Sequence, residues 1–171
     1  MNKISDTKPE YRYGIFAGIG TIIFFSILWL SFPRQAFGLM SFYVSFGIYF
    51  ICMLLAINEI NAKQEGTLGF RQASQKAFIV YLIANIFYYM YYYMMHKFNL
   101  EIAEYQRADA LVNAKHFYAK DELFRQLQAI KKADFSVTLA TTLKSYTIGV
   151  FGAFFSSLFI AFIHWLRTRE K

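Results

Sequence analysis

The chain has 171 residues, 57% of them hydrophobic, 20% aromatic and only 17% charged, with 20 Phe, 13 Tyr and 2 Pro. Average soluble domains are less apolar and about a quarter charged, and the apolar residues here fall into four long blocks that a water-soluble fold would have to hide on every side. The net charge of +7 collects at block ends and in one loop, with no basic run around a motif that reads nucleic acid, so it fits anionic headgroups and excludes a nucleic-acid partner.

In chain order, Met1–Arg12 is a short polar tail carrying Lys3, Lys8 and Arg12 against Asp6 and Glu10. The first span is predicted over 13–32. A signal peptide is the competing reading, but its apolar core would be too long, and Ala36-Phe37-Gly38 is a poor cleavage site. Gly14, Ala17, Gly18 and Thr21 share one face, a spacing that lets a second helix approach closely. Pro33 and Arg34 mark a tight outer turn, since proline just past a helix stops it.

The second span is predicted over 38–57, with Ser41, Ser45, Cys52 and Glu59 on one face. Cys52 is the only cysteine and reads as a small packing residue; it makes neither an internal disulfide nor a multi-cysteine metal site. A short loop to Lys76 follows, carrying Lys63 and Arg71, with Gly66 and Gly69 permitting a turn.

The third span, predicted over 77–95, carries no charge from Phe78 to Met95, about the length that crosses a hydrocarbon core at roughly 1.5 Å per residue. On a wheel of about 100° per residue, Tyr81, Asn85, Tyr88, Tyr89, Tyr92 and His96 fall on one stripe. Ile79, Ile83, Ile86, Phe87, Met90 and Met94 fall opposite. Amide and phenol groups lose hydrogen bonds in lipid, so the stripe is expected to face protein or water and the Ile/Met face to meet acyl chains. Functionally the stripe reads as a polar track or binding cleft; structurally, as interhelical glue with an aromatic belt.

Segment 97–144 is the one long polar region. Leu100, Ala103, Leu111 and Val112, then Leu123, Phe124, Leu127 and Ile130, recur near helical spacing without Gly or Pro. One or two amphipathic helices are expected, lying on the membrane surface or capping the bundle. The fourth span is predicted over 146–166, with Gly149, Gly152, Ala153 and Ser156 forming a small-residue stripe extended by His164. A basic end, Arg167 to Lys171, closes the chain. The expected fold is thus all-α: an integral four-transmembrane-helix bundle, one domain over 1–171, with an amphipathic helical insert between the third and fourth spans. Lys3, Lys8 and Arg12, then Lys63, Arg71 and Lys76, then Arg167, Arg169 and Lys171 mark the segments expected in the cytoplasm, which leaves 97–144 outside.

Three constellations are candidates for function. The first is the stripe from Tyr81 to His96. The second is an inner-face cluster of Glu59, Arg71 and His164, with an ordinary interfacial ion pair as its structural alternative. The third is an outer-face anion site of Lys97 and Lys144 beside Tyr92 and His96, against which stand snorkelling side chains. His116 with Glu101 or Glu104 lacks the spacing of a zinc site, and no nucleotide loop, serine elbow or paired intramembrane carboxylates occur. No cofactor and no metal are expected. The expected partners are membrane lipids and another envelope protein or a second copy of the chain. The functional expectation is a non-enzymatic accessory or scaffold protein; the alternatives are a subunit of an oligomeric transporter or channel, or a protein that binds or modifies lipid.

The first span opening Tyr13-Gly-Ile-Phe-Ala-Gly18, the connection from Glu59 through Gly66-Thr-Leu-Gly-Phe-Arg-Gln-Ala73, and the last helix from Gly149 to the basic end resemble a bacterial membrane family of the Bacteroidota, domain of unknown function 4199. The resemblance covers nearly the whole chain. It implies a small four-helix inner-membrane protein, and brings no activity or catalytic residues with it.

Overall fold

The computed structural model describes residues 8–169; Lys3 and Asp6 of the polar tail and Glu170 and Lys171 of the basic end lie outside them. The described chain is helical throughout: α1 (Pro9–Ser31), α2 (Pro33–Ala36), α3 (Leu39–Lys63), α4 (Phe70–Phe98), α5 (Glu101–Phe117), α6 (Lys120–Lys132) and α7 (Leu139–Arg169). Four of these, α1, α3, α4 and α7, are long and apolar enough to cross a membrane.

The helices outrun their apolar blocks. α4 begins at Phe70 and α7 at Leu139, each about two turns before the predicted span. Both starts have local causes. Gly69 enters α4 from extended backbone, and its carbonyl accepts from Ala73 N–H at 2.9 Å. Before α7, Thr138 Oγ1 accepts from Thr141 N–H at 3.2 Å while Thr141 Oγ1 accepts from Thr138 N–H at 2.9 Å. This reciprocal pair satisfies donors that a helix start leaves free. At the end of α3, Asn61 fastens the turn: its carbonyl accepts from Gly66 N–H at 2.9 Å and its Oδ1 from Leu68 N–H at 3.3 Å. Gly66 adopts φ 84° there, where a side chain would be strained.

α4 is the central helix, packed against α1, α3 and α7. Small residues set the close approaches. A Cβ added at Gly14 would lie 2.8 Å from Ile83 Cβ, and one at Gly18 would lie 2.6 Å from Phe87 Cγ. Ile83 and Phe87, expected to meet acyl chains, therefore pack on α1. Ile86, Met90 and Met94 are the members of that set left exposed. On α7 the buried positions are Thr142, Ala153, Ser157, Ile160, Ala161 and His164, so over the span the packed face is rotated from the predicted stripe: Gly152 is exposed and Ser156 half-buried. Phe25 is fully enclosed, its ring stacked on Phe37 at 5.6 Å and tilted against Tyr88 at 5.3 Å.

The insert forms two helices. α5 rests on α2 and α4, and α6 rests on α5. Ile102 and Ala114 are the residues α5 buries, whereas Leu100 and Val112, expected on its packed face, are exposed. Arg34 lies over the Tyr105 ring at 5.9 Å, and Trp29 meets that ring at 6.5 Å. These contacts dock α5 on the end of the bundle.

Candidate functional site

The stripe on α4 turns inward along most of its length. Tyr81 is 1% exposed, enclosed by Tyr49 at 5.0 Å and Phe46 at 5.9 Å between ring centroids. One turn on, Asn85 is buried against Gly149 of α7, where an added Cβ would lie 2.7 Å from its Nδ2. That Nδ2 has no hydrogen-bond partner among the described residues. Tyr88 is buried among Phe25, Phe42 and Tyr89. Tyr89 stands edge-on to Tyr146 at 5.9 Å, which closes α4 on α7.

The upper end of the stripe meets the insert. Gln106 of α5 donates through Nε2 to the Tyr92 hydroxyl at 3.3 Å. The His96 ring lies 3.9 Å from that of Tyr92 and edge-on to Phe37 at 5.3 Å. Its Nδ1 is 2.8 Å from the Tyr92 carbonyl. A carbonyl only accepts, so Nδ1 carries the hydrogen. The buried Nε2 has no partner among the described residues.

Three hollows adjoin at this end. A largely apolar groove of about 290 Å³ runs between α4 and α7, walled by Ile86, Met90, Leu139 and Leu143 with Tyr89, Tyr93, Tyr146 and Thr142. A second, of about 260 Å³, lies between the start of α3 and the other two helices, lined by Phe37, Phe42, Tyr88, Tyr89, Tyr92 and Ser145. A third, of about 250 Å³, sits under the insert and is lined by Tyr92, Gln106, Asp134, Phe135, Ser136, Thr141, Thr142 and Ser145, with Val137. Thr142 is shared by the first and third, Tyr89 by the first and second, and Tyr92 and Ser145 by the second and third.

One polar edge of the third hollow is set by a tight, exposed turn. Ser136 donates to Asp134 twice, from its N–H to Oδ1 at 2.8 Å and from its hydroxyl to Oδ2 at 2.9 Å. These bonds, the backbone one first, hold the Asp134 carboxyl below its ordinary value, because they favour the charged form. Arg107 donates to the Ala133 carbonyl at 3.3 Å and lies over the Phe135 ring at 5.4 Å, on the rim.

The other candidates are arranged differently from expectation. Glu59 pairs with Arg12 of α1 and, at 2.9 Å, with Lys63 one turn on. Arg71 is exposed and has no part in these pairs. His164 is buried on α7, and its Nε2 has no partner among the described residues. Glu59 therefore answers to α1, which the triad of Glu59, Arg71 and His164 did not include. Lys97 is exposed, over the Tyr93 ring at 5.8 Å, and Lys144 is exposed as well. Neither lines any of the three hollows. Among the described residues no group of three or more His, Cys, Asp or Glu is placed to hold a metal ion.

Sequence reasoning missed Gln106, Asp134, Thr142 and Ser145. The signal that finds the last two is the pair Thr138 and Thr141. Read as a helix start, it extends α7 backward and places Thr142 and Ser145 level with the tyrosines. Asp134 is placed by the local turn it forms with Ser136 just ahead of α7, a signal readable in an Asp two residues before a Ser. Gln106 carries no local signal, since long-range docking of α5 brings it there.

No family model, no curated protein and no solved structure matches this chain.

Proposed function

We propose that the chain is an integral protein of a bacterial inner membrane, with both termini in the cytoplasm and the 97–144 segment outside. It serves there as a non-enzymatic accessory or scaffold protein in contact with membrane lipids and with an envelope partner or a second copy of itself. The observation that carries this reading is the inversion of the bundle. Large apolar side chains point outward, among them Ile23, Ile27, Phe151, Phe155 and Phe159, while Asn85, Tyr81, Thr21 and Ser157 are enclosed. Such a surface has no reason to form in water, and in hydrocarbon it costs nothing.

The orientation is supported by Arg12, Lys63, Arg71, Lys76, Arg167 and Arg169, which flank the ends away from the insert. Membership of the domain of unknown function 4199 family belongs to the same proposal and rests on the Tyr13–Gly18, Glu59–Ala73 and Gly149–Lys171 segments.

The decisive test is topological. In a Cys52→Ser background, Ser136→Cys is expected to react with a membrane-impermeant maleimide in intact cells. Thr168→Cys is expected to react only after permeabilisation, and the protein to stay with membranes through alkaline carbonate. The opposite labelling pattern defeats the orientation; release by carbonate defeats the membrane reading. Purification in mild detergent with mass spectrometry of what co-purifies then tests the accessory role, which fails if no protein partner and no self-association is found.

A further inference from the structure

We propose that the three adjoining hollows at the insert end form one binding site for a single phospholipid whose headgroup carries a protonated amine. The proposal rests on the membrane reading above and deepens it.

The apolar groove between α4 and α7 supplies the tail site. Ile86, Met90, Leu139 and Leu143 offer only apolar side chains, and the phenol rings of Tyr93 and Tyr146 bound it. Its volume of about 290 Å³ is at the small end of ligand sites, and it is not closed off, so a chain enters sideways without the bundle opening. At Thr142 the groove meets the hollow under the insert, and the chemistry changes within one side chain. Beyond it stand Gln106, Asp134, Ser136, Thr141 and Ser145. A molecule lying across that boundary must be apolar at one end and polar at the other.

The charge on the lining selects the headgroup. Asp134 is the one charged residue among the described residues lining the polar hollow, and Ser136 holds its carboxylate in place with two hydrogen bonds. Lys97 and Lys144 lie outside the lining, so the outer-face anion site has no counterpart here. An ammonium headgroup with N–H donors satisfies Asp134 through a charge-assisted hydrogen bond. The phosphate that precedes it falls toward the rim, where Arg107 lies over Phe135 with nitrogens beyond the one that serves the Ala133 carbonyl. A zwitterion matches both charges, and an anionic glycerol headgroup matches only Arg107.

The test uses the full chain in mild detergent, exchanged with phosphatidylethanolamine, phosphatidylcholine or phosphatidylglycerol and read by native mass spectrometry. The expected result is one retained phosphatidylethanolamine per chain. Phosphatidylcholine, whose quaternary nitrogen has no N–H to donate, and phosphatidylglycerol are each expected to be held about tenfold more weakly, the discrimination typical of one hydrogen bond to a charged group. Asp134→Asn, on an exposed turn, is expected to fold normally and to erase the difference between the three lipids. Leu143→Trp is expected to obstruct the groove and lower retention of all three. Equal retention of the three by the unaltered chain overturns the proposal. So does unchanged selectivity in Asp134→Asn, or occupation of the groove by a second copy in place of lipid. A chain that resists carbonate extraction but retains no lipid overturns the site and leaves the membrane reading standing; release by carbonate removes both.

Discussion

Lys76 on α4 reaches Glu10 on α1 at 2.6 Å, and the carboxylate it meets is enclosed, its side chain only 3% exposed. With the Arg12–Glu59 pair from α1 to α3, this contact ties three helices together at the end of the bundle away from the insert. Removing one member of a buried pair strands the other charge. Lys76→Met is therefore expected to cost about 3 kcal/mol, the low end of the range for such losses because Lys76 is partly exposed. Glu10→Gln with Lys76→Met is expected to recover most of it. Unfolding in detergent, followed by circular dichroism, measures both; equal losses in the single and double variants would refute the pairing.

The approach of α1 to α4 at Gly18 leaves no room for a side chain. Gly18→Ala drives a methyl into Phe87, whose Cβ and Cγ lie 2.7 Å and 2.6 Å from the added atom. Overpacking of this kind costs about 1–3 kcal/mol. Gly47→Ala, whose new methyl meets nothing within 4 Å, is expected to leave the melting temperature in place. Phe87→Ala removes the Cγ and ring atoms but keeps Cβ, so Gly18→Ala with Phe87→Ala is expected to lose less than the sum of the two single losses. A larger effect at Gly47 than at Gly18 in the same assay would contradict this packing.

Much of this was legible in the chain and some was not, for a physical reason. Four apolar blocks foretell four long helices, and the stripe from Tyr81 to His96 names the edge of α4 that turns inward. The opposite edge misleads, because a two-sided wheel assumes one packed face and one lipid face. A central helix has three packed sides, so Ile83 and Phe87 find Gly14 and Gly18 while Ile86 and Met90 stay outside. Arg71 and Arg12 are equally plausible partners for Glu59 on composition. Only the crossing of α1 and α3 chooses Arg12. The insert fails in the same way: Ile102 and Ala114 are buried by docking, which helical spacing within α5 does not encode.

Asn85 offers a separate prediction. Its Nδ2 is buried without a partner, and an unsatisfied buried donor costs about 1–3 kcal/mol. Asn85→Leu is similar in volume and removes that donor. It is expected to hold or raise the melting temperature, whereas Asn85→Phe, forced against Gly149, is expected to lower it. A fall in the leucine variant as large as in the phenylalanine variant would mean that the amide is satisfied.

The turn before α7 responds to pH in a defined direction. Asp134 has its folded carboxyl pKa depressed from 3.8 by Ser136. The stability this contributes is complete above the unfolded value and is lost as pH falls through the lower folded one. Ser136→Ala keeps the backbone donor and loses the hydroxyl. It is expected to move the Asp134 titration part of the way back toward 3.8, as read by carboxyl chemical shifts. A midpoint unchanged by the substitution would remove the hydroxyl from the account.

The central place of α4 has a consequence for biogenesis. α1 and α3 leave the ribosome before it, but α7, which covers Asn85 and Tyr89, follows only after the whole insert has been made. At about 5–20 residues per second, the phenol-lined edge of α4 waits several seconds for its cover. On the membrane reading proposed above, an insertase or a quality-control protease meets a polar edge in hydrocarbon during that interval. A product truncated before α7 keeps that edge permanently and is the form such factors should recognise first.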